Sequence, residues 1–185
     1  MSSSFLLNRA AYLLRHGGVV AYPTEAVFGL GAHPANAAAA ERILAIKHRS
    51  RHKGVILLAA HRDQLTHWVA DLPAEAWQQI ESVWPGPFTW VLPARAGTPD
   101  WITGGRTEIA VRVSAHPVAR ALAQAAGTAI ISTSANPSGH RPARSPLSVR
   151  RYFPRELDAI LSGPVDPRAN PTPIRHWPSG RWLRR

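Results

Sequence analysis

The sequence predicts an α/β domain built around a mixed sheet. Short apolar runs recur along the whole chain, each the length of a buried strand and none near the roughly 20 residues of a membrane span. Between them lie segments whose apolar residues fall at helical spacing. Because the two patterns intermix throughout, helices and strands must share one core.

The elements follow in order. Residues 5–16 read as an amphipathic helix stopped by Gly17-Gly18, and Val19-Val20-Ala21-Tyr22 as a buried strand stopped by Pro23. Asn36 is placed to cap a helix over 36–47, and Val55 to Ala59 is a second buried strand. A helix over 73–84 leads through the rigid turn Pro85-Gly86-Pro87 to a strand from Phe88 to Leu92. Ile109 to Val113 is a strand, Pro117 opens a helix that Gly127 ends, and Ala129 to Ser132 is a strand. The Pro-, Gly-, Arg- and Ser-rich segment 136–146 is a loop. A short helix near 146–152, a strand near 158–161 and short strands at Ile174 and Trp182-Leu183 complete the chain. No linker or internal repeat divides it, so residues 1–185 are expected to form one domain.

Composition narrows the function. The chain lacks cysteine, which excludes disulfides, thiol nucleophiles and thiolate metal sites. The N-terminus has no basic segment followed by an apolar block, so no signal peptide and a cytoplasmic setting are expected, with no membrane partner. The formal net charge is +11, which favours polyanionic partners, nucleotides or nucleic acid; an arginine-rich solubilising surface is the competing reading. Of 22 basic residues only Lys47 and Lys53 are lysines, and both fall in one seven-residue window. Lysine supplies a compact charge that arginine does not replace where geometry is tight.

Several motifs are missing. There is no phosphate loop, dinucleotide fingerprint or nucleophile elbow. His48 and His52 stand four apart, which on a helix would align two imidazoles, but no HExxH pattern surrounds them and no metal site is expected. The seven tryptophans are read as packing residues rather than base-stacking platforms.

Three segments carry candidate chemistry. In Tyr22-Pro23-Thr24-Glu25, polar residues emerge at the carboxyl end of a buried strand, where ligands sit in open α/β sheets; a strand-to-helix turn with a capping Thr is the alternative. Residues 47–54 place Lys47, Arg49, Arg51 and Lys53 in one connection, the clustered charge that phosphoryl and adenylyl transfer need; a solvated loop is the alternative. Ser132-Thr133-Ser134-Ala135-Asn136-Pro137-Ser138-Gly139 supplies hydroxyls, an amide and backbone N–H groups after another strand, suited to an anion or a base edge, or to an ordinary polar turn.

Taken together and in order, Tyr22-Pro23-Thr24-Glu25, Lys47-x-Arg49, Ala110-Val111-Arg112-Val113 and Ser132-Thr133-Ser134-Ala135-Asn136-x-Ser138-Gly139 resemble the signature set of the YrdC/TsaC threonylcarbamoyl-AMP synthases, in their short bacterial form. The resemblance implies a twisted mixed sheet flanked by helices, with a basic concave cleft. It implies formation of threonylcarbamoyladenylate and pyrophosphate from L-threonine, bicarbonate and ATP. The product would serve threonylcarbamoyladenosine modification of tRNA at adenosine 37, with transfer proteins of the TsaB, TsaD and TsaE type downstream.

By the same resemblance, Thr24, Arg112, Thr133 and Thr172 would hold threonine. Lys47 and Arg49 would be catalytic, holding the ATP phosphates. Lys53, Ser134, Asn136, Arg144 and Arg184 would complete the nucleotide site. Mg²⁺ would arrive with ATP, held by phosphates and water, with no other cofactor and no protein metal site. The loop 139–146 is the lid candidate.

Two departures stand out: Ser50 follows the Lys-x-Arg pair where proline is common, and no Gly follows Arg184-Arg185, so either arginine could take the terminal role. Glu25 receives no role. The alternative reading is a module that binds tRNA or double-stranded RNA through the same basic cleft, although no RNA-stacking motif supports it. A carbamoyl-handling domain of the hydrogenase-maturation type is a third, and it predicts a longer chain.

Overall fold

A computed structural model describes residues 4–169 and 172–184. Nine strands form one sheet in the order β7-β1-β2-β6-β3-β5-β4-β8-β9. They are β1 (Val20–Pro23), β2 (Phe28–Gly31), β3 (Ile56–Ala59), β4 (Thr89–Pro93), β5 (Glu108–Val113), β6 (Ile130–Ser134), β7 (Ala159–Ile160), β8 (Ile174–His176) and β9 (Trp182–Arg184). The pairs β1–β7, β3–β5 and β4–β8 are parallel and the others antiparallel, so the sheet is mixed as expected.

The helices begin and end where local chemistry directs. Helix α2 (Ala37–Ile46) starts at Asn36, whose side chain accepts from the Ala39 N–H, one of the donors a helix start leaves unpaired. Helix α5 (Pro117–Ala126) has proline in its first turn and ends on Gly127 at φ 77°, a left-handed cap that glycine enters without strain. Ser145 caps α6 (Pro146–Tyr152). Helices α1 (Ser4–Arg15), α3 (Ala74–Glu81) and α4 (Asp100–Thr103) complete the set.

Strand alternation sorts the sheet into two faces. Phe28, Leu30, Leu57, Ala59, Ile109, Val111 and Ile131 point to one face, where α2, α3, α4 and α6 bury them with Ile43, Ile80, Ile102 and Val149. The opposite face carries Val20, Tyr22, Leu58 and Ile130, covered by Ala10, Ala11 and Leu14 of α1 and Leu122 and Ala123 of α5. Burying each such large aliphatic side chain contributes about 1.5–3 kcal/mol. Trp90 is fully buried and Trp68, Trp77, Trp84, Trp101 and Trp177 pack on the first core, in keeping with a packing role, whereas Trp182 is exposed, with Arg175 over its ring.

The structure adds β2 and α4, which sequence patterning did not indicate. Thr24 therefore lies in a strand-to-strand turn, not at a helix start: its N–H and its hydroxyl both donate to the Val27 carbonyl. The strand Phe28-Gly29-Leu30-Gly31 is half glycine because the buried Tyr22 ring lies over it. A Cβ at Gly31 would stand 2.7 Å from the Tyr22 ring. Nor do His48 and His52 share a helix face. Helix α2 ends at Ile46, His48 adopts φ 48°, and His52 lies in a 3-10 turn over Arg51–Lys53.

Candidate active site

Helices α1 and α5 cover only part of their face of the sheet, and the uncovered part is a cleft of about 340 Å³. Register shows how the strands build it. On β6, Ile130 pairs with Leu58 beneath α5; two residues on, Ser132 pairs with Ile56, and Ser134 with Gly29, both in the cleft. On β5, Glu108, Ala110 and Arg112 face the cleft while Ile109, Val111 and Val113 enter the core. An apolar strand face thus turns polar where its helical cover stops.

Eight of the expected site residues line this cleft: Thr24, Arg49, Lys53, Arg112, Thr133, Ser134, Thr172 and Arg184. They come from six separate parts of the chain. Arg112, 5 % exposed, donates from Nη1 to the Thr172 hydroxyl at 2.5 Å, and its Nη1 stands 3.5 Å from Glu25 Oε2. Arg184 donates from Nε to the Thr172 carbonyl at 2.7 Å, which ties β9 to the cleft; Arg185 lies outside the described residues. Arg49 donates to the Gly54 carbonyl at 3.0 Å, and its buried Nε has no hydrogen-bond partner among the described residues.

Three expected residues stand outside the lining and act on it from behind. Lys47, 2 % exposed, donates its ammonium to the carbonyls of Ser134 and, at 2.7 Å, Asn136. Its own carbonyl accepts from Ser138 N. The lysine thus clamps the turn that follows β6. Burial, and then the neighbouring Arg49 charge, lowers its pKa from 10.5 to about 7. The Asn136 amide donates to the Pro137 and His140 carbonyls at 3.0 and 2.8 Å, bracing the same turn. Arg144 is spent on the carbonyls of Pro167 and Ala169.

The lid expectation also narrows. Ala143 is fixed on both sides, its N–H donating to Ala135 and its carbonyl accepting from Phe28, so only the exposed stretch before it is free of the sheet. Nor does the 47–54 connection act as a unit. Lys47 turns inward, Arg51 pairs with Glu41 at the surface, and of its four cations Arg49 and Lys53 alone line the cleft.

Sequence reading missed Arg106 and Glu108, which line the cleft; Ser132, part of the third candidate segment but given no role, lines it too. Arg106 donates to the carbonyls of His52 and Lys53 and so binds the segment between α4 and β5 to the basic connection. Glu108 accepts from His176 Nε2 at 2.6 Å. The alternation that exposed Arg112 also indicates Glu108, four residues earlier on the same strand face; nothing local marks Arg106.

The electrostatics define the site. Arg49 is lowered by burial and then by Arg106, and Arg184 by burial and then by Arg112. Like charges are pressed together in one concavity, an arrangement that favours anionic ligands. Glu108 is the only acid among the lining residues. Among the described residues no group of three His, Asp or Glu side chains could hold a metal ion.

The lining sets Arg49, Lys53, Arg106, Arg112 and Arg184 against one acid, and comparison gives the chain a family. Residues 12–185 match the Sua5/YciO/YrdC family model, described as telomere recombination, and the chain belongs to that family. A threonylcarbamoyl-AMP synthase of Halorhodospira halophila is 55 % identical over 181 residues, covering 98 % of this chain and 95 % of that protein. The crystal structure of P. abyssi Sua5 complexed with L-threonine superposes with a TM-score of 0.87 at 34 % identity. It covers 93 % of this chain, which spans 52 % of the P. abyssi chain. E. coli YciO superposes with a TM-score of 0.86 at 25 % identity, over 98 % of this chain and 89 % of that one.

Proposed function

We propose that this protein is a threonylcarbamoyl-AMP synthase, forming L-threonylcarbamoyladenylate and pyrophosphate from L-threonine, bicarbonate and ATP. The observation that carries the reading is the crowding of arginines in the cleft around Arg112, which is buried, and Arg49, which is half-buried. Arg49 and Arg106 form one cationic pair, Arg112 and Arg184 another, with little acidic compensation. The relatives' names supply the reaction, and the cleft supplies what that reaction needs.

The chemistry distributes naturally over these residues. At one end Arg112, with Thr24, Thr133 and Thr172, receives threonine; a planar guanidinium suits its carboxylate. The threonine amine adds to bicarbonate with loss of water, giving the carbamate. A carbamate oxygen then attacks the α-phosphorus of ATP, and the bond from that phosphorus to the bridging oxygen breaks, releasing pyrophosphate. Arg49, Lys53, Arg106 and Arg184 stabilise charge that grows on the phosphoryl oxygens and the leaving group, which favours the transition state over the ground state. Ser134 takes the nucleotide directly. Lys47 and Asn136 hold the turn that presents it, and Arg144 holds the 167–169 segment that leads to Thr172.

The donor set does not make a resident magnesium site. Glu25 is engaged with Arg112, Ser114 and Ala115, and Glu108 with His176. A divalent ion travels with the ATP phosphates and water in this reading. The product then serves adenosine 37 of tRNA in the cytoplasm, through transfer proteins of the TsaB, TsaD and TsaE type. No helix of the described residues is long and apolar enough to cross a membrane. The comparisons do not favour the RNA-binding module as the primary function.

The test is pyrophosphate release from ATP with threonine and bicarbonate present or singly omitted. Release that requires both supports the synthase. Release without threonine, or none while tRNA still binds, refutes it.

A further inference from the structure

Glu25 is an acid held just outside the lining of a cleft rich in cations, and the reaction above gives it no substrate to hold. Its carboxylate is held on one side. Oε1 accepts from the Ser114 hydroxyl at 2.7 Å and from the Ala115 N–H at 3.1 Å, both beyond the end of β5. Its backbone carbonyl accepts from Asp166 N at 2.9 Å. With Oε1 anchored, Oε2 is left facing Arg112 Nη1 at 3.5 Å, and the side chains are 14 % and 6 % exposed.

The consequence falls on Arg112. Its Nη1 serves Thr172 Oγ1 at 2.5 Å as well as the Glu25 pair, so that corner of the guanidinium is occupied. The opposite edge is not. Among the described residues the buried Nε has no hydrogen-bond partner, and no hydrogen bond is made by Nη2. A buried donor left unpaired is costly, and the cost is recovered when a ligand accepts from it. Arg112 lines the cleft, so the unused edge is available to a ligand there.

We propose that Glu25 is a positioning residue: it fixes one corner of the Arg112 guanidinium so that the Nε–Nη2 edge stays open to take the substrate carboxylate side-on through two parallel hydrogen bonds. The proposal rests on the reading of Arg112 as the threonine-carboxylate ligand. Glu25, paired with Arg112, also offsets the repulsion between Arg112 and Arg184.

The test is steady-state pyrophosphate release by E25Q, E25D and R112A, with melting temperatures alongside. The side-chain amide of E25Q keeps an oxygen for Ser114 and Ala115 but turns an NH₂ toward a guanidinium donor. The threonine KM is expected to rise at least tenfold while the ATP KM stays within twofold. E25D, too short to span both partners, gives the same split if E25Q does not fold. L-threonine amide, which lacks the carboxylate, adds a readout that stability does not move. Wild type prefers threonine strongly, and E25Q narrows that preference. An unchanged threonine KM in E25Q, or threonine and ATP KM values rising together with a lowered melting temperature, overturns the positioning role. R112A separates the two ideas. If it raises the threonine KM and E25Q does not, only the positioning role fails. If R112A leaves the threonine KM unchanged, the reading of Arg112 fails and takes the proposal with it.

Discussion

Replacing Lys47 by methionine should destabilise the protein and weaken nucleotide binding together. Methionine keeps the length and most of the volume of the side chain, so no large cavity follows. What is lost is the ammonium that bonds the Ser134 and Asn136 carbonyls from a position 2 % exposed. A buried acceptor left unpaired costs about 1–3 kcal/mol. One is left, at Asn136, because the Ser134 carbonyl keeps the Asn136 N–H at 3.0 Å, and relief from burying a cation beside Arg49 offsets part of the loss. The net destabilisation is about 1–2 kcal/mol, or roughly 2–8 °C in melting temperature for a chain of this size. The turn after β6 then slackens, and with it Ser134. The ATP KM should rise tenfold or more, and the threonine KM less, because Arg112 and Thr24 sit on other strands. Thermal melts and pyrophosphate release with each substrate varied check both effects. A variant that melts like wild type yet loses activity would refute the clamp and return the ammonium to direct phosphate contact.

Other expectations follow from the same geometry. The folded pKa of Lys47 lies below its ordinary value, so between about pH 7 and 10.5 the unfolded chain binds the extra proton. The destabilisation from this group is therefore complete below pH 7 and is relieved as pH rises through that window; urea titrations at pH 7 and 9 should show stability rising with pH, and Lys47→Met should flatten the rise. Arg112→Lys keeps the charge but loses the fork, and should raise the threonine KM by roughly 10- to 100-fold, about 1.4–2.8 kcal/mol, with the ATP KM little changed. Arg49→Ala should act the other way, on ATP and on kcat, and a purely threonine-specific effect would contradict its placement. Gly31→Ala would force a Cβ to within 2.7 Å of the buried Tyr22 ring, costing about 1–3 kcal/mol in stability, checked by melting temperature.

Much of the fold is written in local pattern. Strands β1, β3, β5 and β6 announce themselves as apolar runs, and α2 and α5 by their caps, because burial and capping act between residues close in sequence. The strand β2 does not, because its two glycines answer to a Tyr22 ring that only the folded hairpin brings over them. The three polar segments were legible as neighbours because strand ends are where an α/β sheet exposes polar residues, and all three reach the one cleft. Their membership was less so. The 47–54 segment reads as one cationic cluster, yet folding divides it: Lys47 is drawn into the carbonyls of the β6 turn, Arg51 is paired at the surface, and Arg49 meets Arg106 from another element.

The sequence by itself therefore determined the mixed α/β core and marked the polar segments and the excess of cations, since these depend on periodicity, composition and chain order. Only the tertiary structure decided which cations face the cleft, which turn inward to backbone carbonyls, and which groups Glu25 meets. The partners of Glu25 at Ser114 and Ala115 lie 89 and 90 residues away. No local pattern records such a pairing, because a carboxylate finds its donors through the packing of the whole sheet.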